Sequence, residues 1–168
     1  MAGNIRTYIC TGCGIDECLN NQQLADVSSK EMGVPAQVHP PLCLPEGVDF
    51  LRKDIEKEGA DKVVIAACSS RVNWDVFSVD SLQVKSVERV NIREQVVWSH
   101  PANHPETQSM AQDYLRMGIV RAQKATTPTP YTEANERSIL VVGGGAAGLA
   151  AADGLLEFGR EFTPSALS

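Results

Sequence analysis

Residues 62–67 (KVVIAA) form an unbroken apolar run between Asp61 and Cys68. A run of that length reads as a strand buried on both faces. Such strands occur where helices cover both sides of a parallel sheet, which constrains the chain to an α/β architecture. The neighbouring segments keep the alternation. Residues 5–10 (IRTYIC) read as a strand, 18–32 as a helix ended by Gly33, and 35–39 as a short extended piece stopped by Pro40 and Pro41. Residues 46–58 are the clearest helix, with Val48, Leu51 and Ile55 on one apolar stripe and Gly59 closing it. A short helical stretch at 74–77, a strand at 86–91 and an amphipathic helix at 106–124 follow. In that last helix Met110, Tyr114, Met117 and Val120 are expected to face inward. The expected fold is a Rossmann-like parallel sheet of about four strands with flanking helices.

Four cysteines fall where this alternation places the ends of strands: Cys10 and Cys13, Cys43, and Cys68. In an open parallel sheet the loops leaving the carboxyl ends of the strands share one edge, and ligands bind there. Three separate segments would thus bring thiols to one place. Residues 1–7 lack the apolar stretch of a signal peptide, so a reducing cytoplasm and free thiols are expected. Converging thiols in such a chain point to a metal or iron–sulfur site more than to a disulfide framework. The formal charge of −6, without a Lys/Arg cluster, leaves no electrostatic footprint for nucleic acid or anionic lipid. Protein partners and small cofactors remain.

From 125 to 137 the composition shifts to Thr, Pro and charge, which reads as a linker after a cysteine-bearing domain at 1–124. Residues 138–142 then read as a strand running into Gly143-Gly144-Gly145-Ala146-Ala147-Gly148 and an Ala/Leu-rich helix. In this context Gly143 serves a tight turn, Gly145 the approach of a pyrophosphate and Gly148 helix packing, as in dinucleotide-binding domains. The fold also needs a following strand with an acidic residue about twenty positions on. Pro164 and the end of the chain at Ser168 intervene, so 138–168 reads as a truncated FAD/NAD-binding βα unit with negligible expected affinity for free flavin. Self-association through its unpaired strand is a further expectation. A hydropathy scan flags 138–156, but five glycines and Asp153 argue against direct membrane insertion.

Six motifs now stand in order: CTGCG at 10–14, PPLCLPEG at 40–47, VVIAACSSR at 63–71, VNIREQVVWSH at 90–100, DYLRMGIVRAQ at 113–123 and VVGGGAAG at 141–148. Together they resemble the N-terminal region of the heterodisulfide reductase A-subunit family. The likeness is strongest to its branch in the B subunits of the quinone-interacting membrane-bound oxidoreductases of sulfate reducers. It spans residues 5–158. The resemblance implies an N-terminal electron-transfer module in a longer oxidoreductase polypeptide that bears iron–sulfur clusters and flavin. It also implies partners in a redox complex, among them adenylylsulfate reductase and a membrane-bound quinone-reactive subunit. A cytoplasmic location, with membrane association through those partners, is implied as well. FAD is expected only in a full-length relative. The chain departs from the pattern in stopping after the first βα unit, in Ser70 where related sequences often have Pro, and in its final dozen residues.

The cysteines admit several chemistries. A four-iron four-sulfur cluster on Cys10, Cys13, Cys43 and Cys68 gives each iron one thiolate, and air would strip it from an exposed sheet edge. Arg71, three residues past Cys68, reads either as a cation placed to offset its negative charge or equally as a solvated loop residue. Structural zinc would use the same ligands, a CxxC redox pair only Cys10 and Cys13, and inert buried cysteines none. Cys18 is the spare. His39, His100 and His104 lie beside prolines and read as surface residues, Trp74 and Trp98 as core or interface packing, and Arg93 with Glu94 as a solvated pair ahead of a contact to a flavin domain. Nothing resembles a Ser/His/Asp or paired-carboxylate site, so this chain alone is not expected to be a complete catalyst. The reading carried forward is an electron-transfer module; the alternatives are a non-catalytic assembly module with structural or zinc-bound cysteines, and a thiol redox protein.

Overall fold

A computed structural model describes residues 4–126 and 139–157. The chain divides into two compact units, Met1–Pro128 and Thr129–Ser168. In the first, strands β1 (Ile5–Cys10), β2 (Ala36–His39), β3 (Lys62–Ala67) and β4 (Ser86–Asn91) form one parallel sheet in the order β2-β1-β3-β4. β1 and β3 are the two inner strands, with Ile9 opposite Ala66, and every residue of β1 and all but the first of β3 are buried. That is the double-sided burial expected of KVVIAA.

Helices cover the sheet. α1 (Ile15–Cys18) and α2 (Asn21–Asp26) occupy the stretch expected to be one helix at 18–32. The chain is extended at Leu19, and Asn20 restarts the helix by accepting a hydrogen bond from Gln23 N at 3.1 Å. α2 then runs on as a π-helical turn, Val27–Glu31, to Gly33, whose φ of 68° suits a residue without Cβ. α3 (Pro45–Glu58) buries Gly47, Leu51 and Ile55 and ends at Gly59, with Val48 half-buried. The expected helical stretch at 74–77 is a set of turns, and the helix α4 (Val79–Leu82) starts after it because Ser78 Oγ accepts from Ser81 N at 3.0 Å.

α5 (Pro105–Lys124) presents a different face from the one expected. Thr107, Ala111, Leu115, Gly118, Ile119 and Ala122 are buried, whereas Met117 is 53% exposed and Met110, Tyr114 and Val120 are half-buried. The buried face is built from small residues that let the helix lie close to β4. A Cβ on Gly118 would collide with Cγ2 of Val90.

In the second unit, α6 (Ala146–Glu157) follows the glycine run. Residues 139–142 are not in a strand, which corrects the expected βα start. A strand exists only through ladder bonds to a neighbour, and among the described residues none pairs with this segment. The linker at 125–137 lies outside the described residues beyond Thr126.

Candidate metal centre

The strand order reverses between β1 and β3: the chain leaves β1 toward β2 on one side and enters β3 and β4 on the other. Ligands of open α/β sheets bind beyond the carboxyl ends at this switch point. Cys10 is the last residue of β1 and Cys68 follows the last residue of β3. Both are buried.

Each remaining thiol is brought to that point by local backbone rules. After Cys10 the chain turns through Gly12, where any Cβ would press on Pro41, and through Cys13 and Gly14 at φ 56° and 81°. The left-handed turn at Gly14 opens α1 and leaves Cys13 exposed. The β2 loop is anchored by Thr11 N donating to His39 O at 3.0 Å and by Leu42, which is fully buried. Gly47 lies so close to the Pro41–Leu42 backbone that no side chain fits, and this packing holds Cys43 beside the β1 loop.

The result is one narrow crevice lined by Cys10, Cys13, Cys43 and Cys68 together with Phe77 and Arg93. Its free volume is about 20 Å³, room for roughly one water. Among the described residues no three His, Cys, Asp or Glu side chains are grouped as ligands of one metal ion. The thiols therefore share a crevice without converging on a single point. All five cysteines are free thiols, and Cys18 is buried at the end of α1, outside this lining.

Burial pushes the Cys10 thiol above its ordinary range, opposed by hydrogen bonds from the Leu42 and Gly12 backbone. Burial likewise raises Cys68, opposed by the positive charges of Arg89 and Arg93. Those two arginines, and not Arg71, are the cations of the site. Arg71 is exposed on the loop after Cys68, along a groove that it lines together with Arg89, Tyr114 and Arg121, and it is not among the charges acting on Cys68. Arg89 Nη2 lies 3.2 Å from Cys68 Sγ. Arg93 hydrogen-bonds Glu94 at 2.6 Å, with its guanidinium 4.6 Å from the centre of the Trp98 ring. Glu94 in turn accepts from Ser69 N at 2.8 Å, tying this pair to the Cys68 loop. Arg93 and Glu94 are thus partly buried members of the site and not a solvated pair.

The histidines are structural. His39 stacks on Phe50 with centroids 4.3 Å apart, His100 lies 2.9 Å from Ser99 Oγ, and His104 caps α5. Trp74 and Trp98 are 72% and 63% exposed, so of the expected core or interface packing the core is excluded. In the second unit Gly143 has φ 111°, and Gly148 packs so closely on the Gly143 carbonyl that only glycine fits. Gly145 O accepts from Leu149 N at 3.0 Å in the first turn of α6.

No family model matches the chain. Similarity to curated proteins is extensive. The A subunit of the ferredoxin:CoB-CoM heterodisulfide reductase of Methanosarcina mazei is 35% identical over 95% of the chain and 21% of that protein. The A subunit of the H(2):CoB-CoM heterodisulfide,ferredoxin reductase of Methanothermobacter marburgensis is 30% identical over 92% of the chain and 24% of its own length. The first iron-sulfur A subunit of the CoB–CoM heterodisulfide reductase of Methanopyrus kandleri is 29% identical, again over 92% of the chain and 24% of that protein. The chain spans about a quarter or less of the length of these relatives. Over nine-tenths of its residues the chain is a relative of the heterodisulfide reductase A subunits.

Proposed function

We propose that residues 4–126 are the iron–sulfur electron-transfer module of a protein of the heterodisulfide reductase A-subunit type, with Cys10, Cys13, Cys43 and Cys68 as the cluster ligands. The observation that carries this reading is the lining of one crevice by four thiols from three loops, with no carboxylate or imidazole among them. Thiolate-only donors select soft metal centres. One ion bound by all four would need them gathered about a point, as zinc does at about 2.3 Å from each sulfur. A cube takes one thiolate at each of four separate irons, so donors spaced around a crevice suit it better. The name of the Methanopyrus kandleri relative, with the word iron-sulfur in it, points the same way.

When bound, a four-iron cluster supplies one-electron transfer at the sheet edge. The protein's residues set the conditions for it. Gly12 and Leu42 direct backbone N–H groups at Cys10. Ile15, Ala67 and Phe77 wall the inner side of the crevice, and exposed Cys13 marks its open side. Arg89 and Arg93 offset the charge of the thiolates. The electron partners in this reading are other members of a redox complex, including a membrane-bound quinone-reactive one. In a longer protein the glycine run at 143–148 would hold the pyrophosphate of FAD.

Anaerobic reconstitution of the 168-residue chain tests the reading. About four iron and four sulfide per chain, with visible absorption that bleaches on reduction, are expected. Colourless protein holding one zinc would overturn the proposal in favour of the assembly-module alternative.

A further inference from the structure

Arg89 differs from the ion-paired arginines of the domain. Arg6, Arg93, Arg116 and Arg121 each form an ion pair with a carboxylate, whereas among the described residues no carboxylate pairs with Arg89. It is nevertheless partly buried, on the strand next to β3. Its Nη2 contacts Cys68 Sγ, Cys68 O and Ser69 O, each at 3.2 Å, and Val72 O at 3.4 Å. The guanidinium stacks 4.4 Å above the Phe77 ring, and its Nε is shielded from solvent without an acceptor. A guanidinium in a protein does not deprotonate, and a cation removed from water needs an anion close by. Of the atoms touching it, only the Cys68 sulfur becomes a full anion. The three carbonyls neutralise part of the charge and fix its place.

We infer that Arg89 is the positioning residue for the Cys68 thiolate and the fixed counter-charge that raises the reduction potential of the centre. The inference rests on the iron–sulfur reading above. One guanidinium holds both the sulfur and the 68–72 loop that carries it, so it sets the side chain's direction and the charge it meets. Reduction adds one electron, supplied in the test by an electrode, and makes or breaks no bond of the protein. A fixed cation against a ligand sulfur favours the more negative reduced state, and hydrogen bonds to the sulfur act in the same direction. Lysine keeps the charge but is one bond shorter and lacks the planar group that stacks on Phe77 and holds Nη2 against the sulfur.

The test compares the anaerobically reconstituted full chain as wild type, Arg89→Gln, Arg89→Lys and Arg71→Gln. Iron and sulfide content, the electron paramagnetic resonance spectrum of the reduced form and the midpoint potential are measured for each. Expected are a shift to lower potential with an altered spectrum in Arg89→Gln, a smaller shift in Arg89→Lys, and no shift in Arg71→Gln, whose exposed side chain is not among the charges acting on Cys68. Wild-type potential and spectrum in fully loaded Arg89→Gln would overturn the role of Arg89 while leaving the cluster reading intact. If Arg89→Gln fails to fold by circular dichroism, Arg89→Met, which also lacks the charge, takes its place, and the wild-type potential in its loaded form overturns the role in the same way. Wild-type protein that takes up no iron and sulfide would overturn both.

Discussion

Tyr8 on β1 donates its hydroxyl to Asp54 Oδ2 on α3 at 2.9 Å, and Arg6 Nη2 reaches the same oxygen at 2.8 Å. Tyr8 has no exposed surface and Arg6 is buried, so this carboxylate satisfies two groups that water does not reach. Burial and the neighbouring carboxylate push the Tyr8 phenol well above its ordinary value, and it stays a donor at any physiological pH. The pair fixes α3 across the inner strand whose end carries Cys10.

Removing the acceptor therefore costs more than removing either donor. Asp54→Ala leaves an orphaned hydroxyl and an Arg6 guanidinium held only by Glu58 at 3.5 Å, and is expected to lower stability by about 2 kcal/mol, against about 1 kcal/mol for Tyr8→Phe. Urea denaturation of both and of the double variant measures this. Costs that simply add would show that the two side chains do not interact.

Gly118 concerns the opposite face of the sheet. Because a Cβ there meets Val90, Gly118→Ala forces α5 away from β4 and is expected to cost about 1–3 kcal/mol despite the better helix propensity of alanine. Val90→Ala opens the needed space, so the double variant should be more stable than the sum of the single losses predicts. Additive losses in thermal or urea unfolding would place the strain elsewhere.

The sequence made the strands and the cysteine loops legible for a simple reason: both depend on local patterns, an apolar run and the residue that follows it. The bounds of β1, β3 and β4 agree with the expected strands to the residue. The buried face of α5 was hidden because Gly118, Ala111 and Ala122 carry little hydropathy signal, while Met117, which carries much, faces solvent. Arg89 was hidden differently. Its contact with Cys68 exists only through the parallel register of β3 and β4, where Ile65 faces Arg89, and register is not readable from either strand alone. Of the two readings of Arg71, a counter-charge or a solvated loop residue, its exposed position agrees with the second. The exposed apolar residues Ile139, Leu140 and Val142 show why the segment reads as a strand even though among the described residues 139–142 has no partner to make it one.

Glu88 gives the domain a pH dependence of definite sign. Burial raises its carboxyl above the ordinary value, with Arg121 at 2.7 Å pulling it back down. A carboxyl with a raised folded pKa binds its proton more tightly in the native state. Its favourable contribution is present below the unfolded value and is lost as pH rises through the folded one. Glu88→Gln removes that loss, so its stability relative to wild type should increase between about pH 4 and about pH 7. Urea midpoints at the two pH values decide it. A difference that stays constant or shrinks with rising pH would contradict the burial argument.

The four crevice thiols differ in exposure, and this separates their variants. Ala at Cys10, Cys13, Cys43 or Cys68 removes one thiolate from a four-iron site and should lower iron and sulfide content, whereas Cys18→Ala, away from the crevice, should leave both unchanged. Cys10 and Cys68 are 7% and 6% exposed, and a small thiol added to the buffer cannot enter their positions. Cys13 lies exposed at the mouth, on a loop whose backbone turn is completed by Gly14. A buffer thiol should therefore replace the missing ligand in Cys13→Ala and restore iron content, but not in Cys10→Ala or Cys68→Ala. Iron and sulfide assays with and without added 2-mercaptoethanol check this. Equal rescue at all positions would mean that the crevice opens far more widely than the packing of Gly12 on Pro41 and of Gly47 on Leu42 permits. Loss of iron in Cys18→Ala would move the ligand set itself.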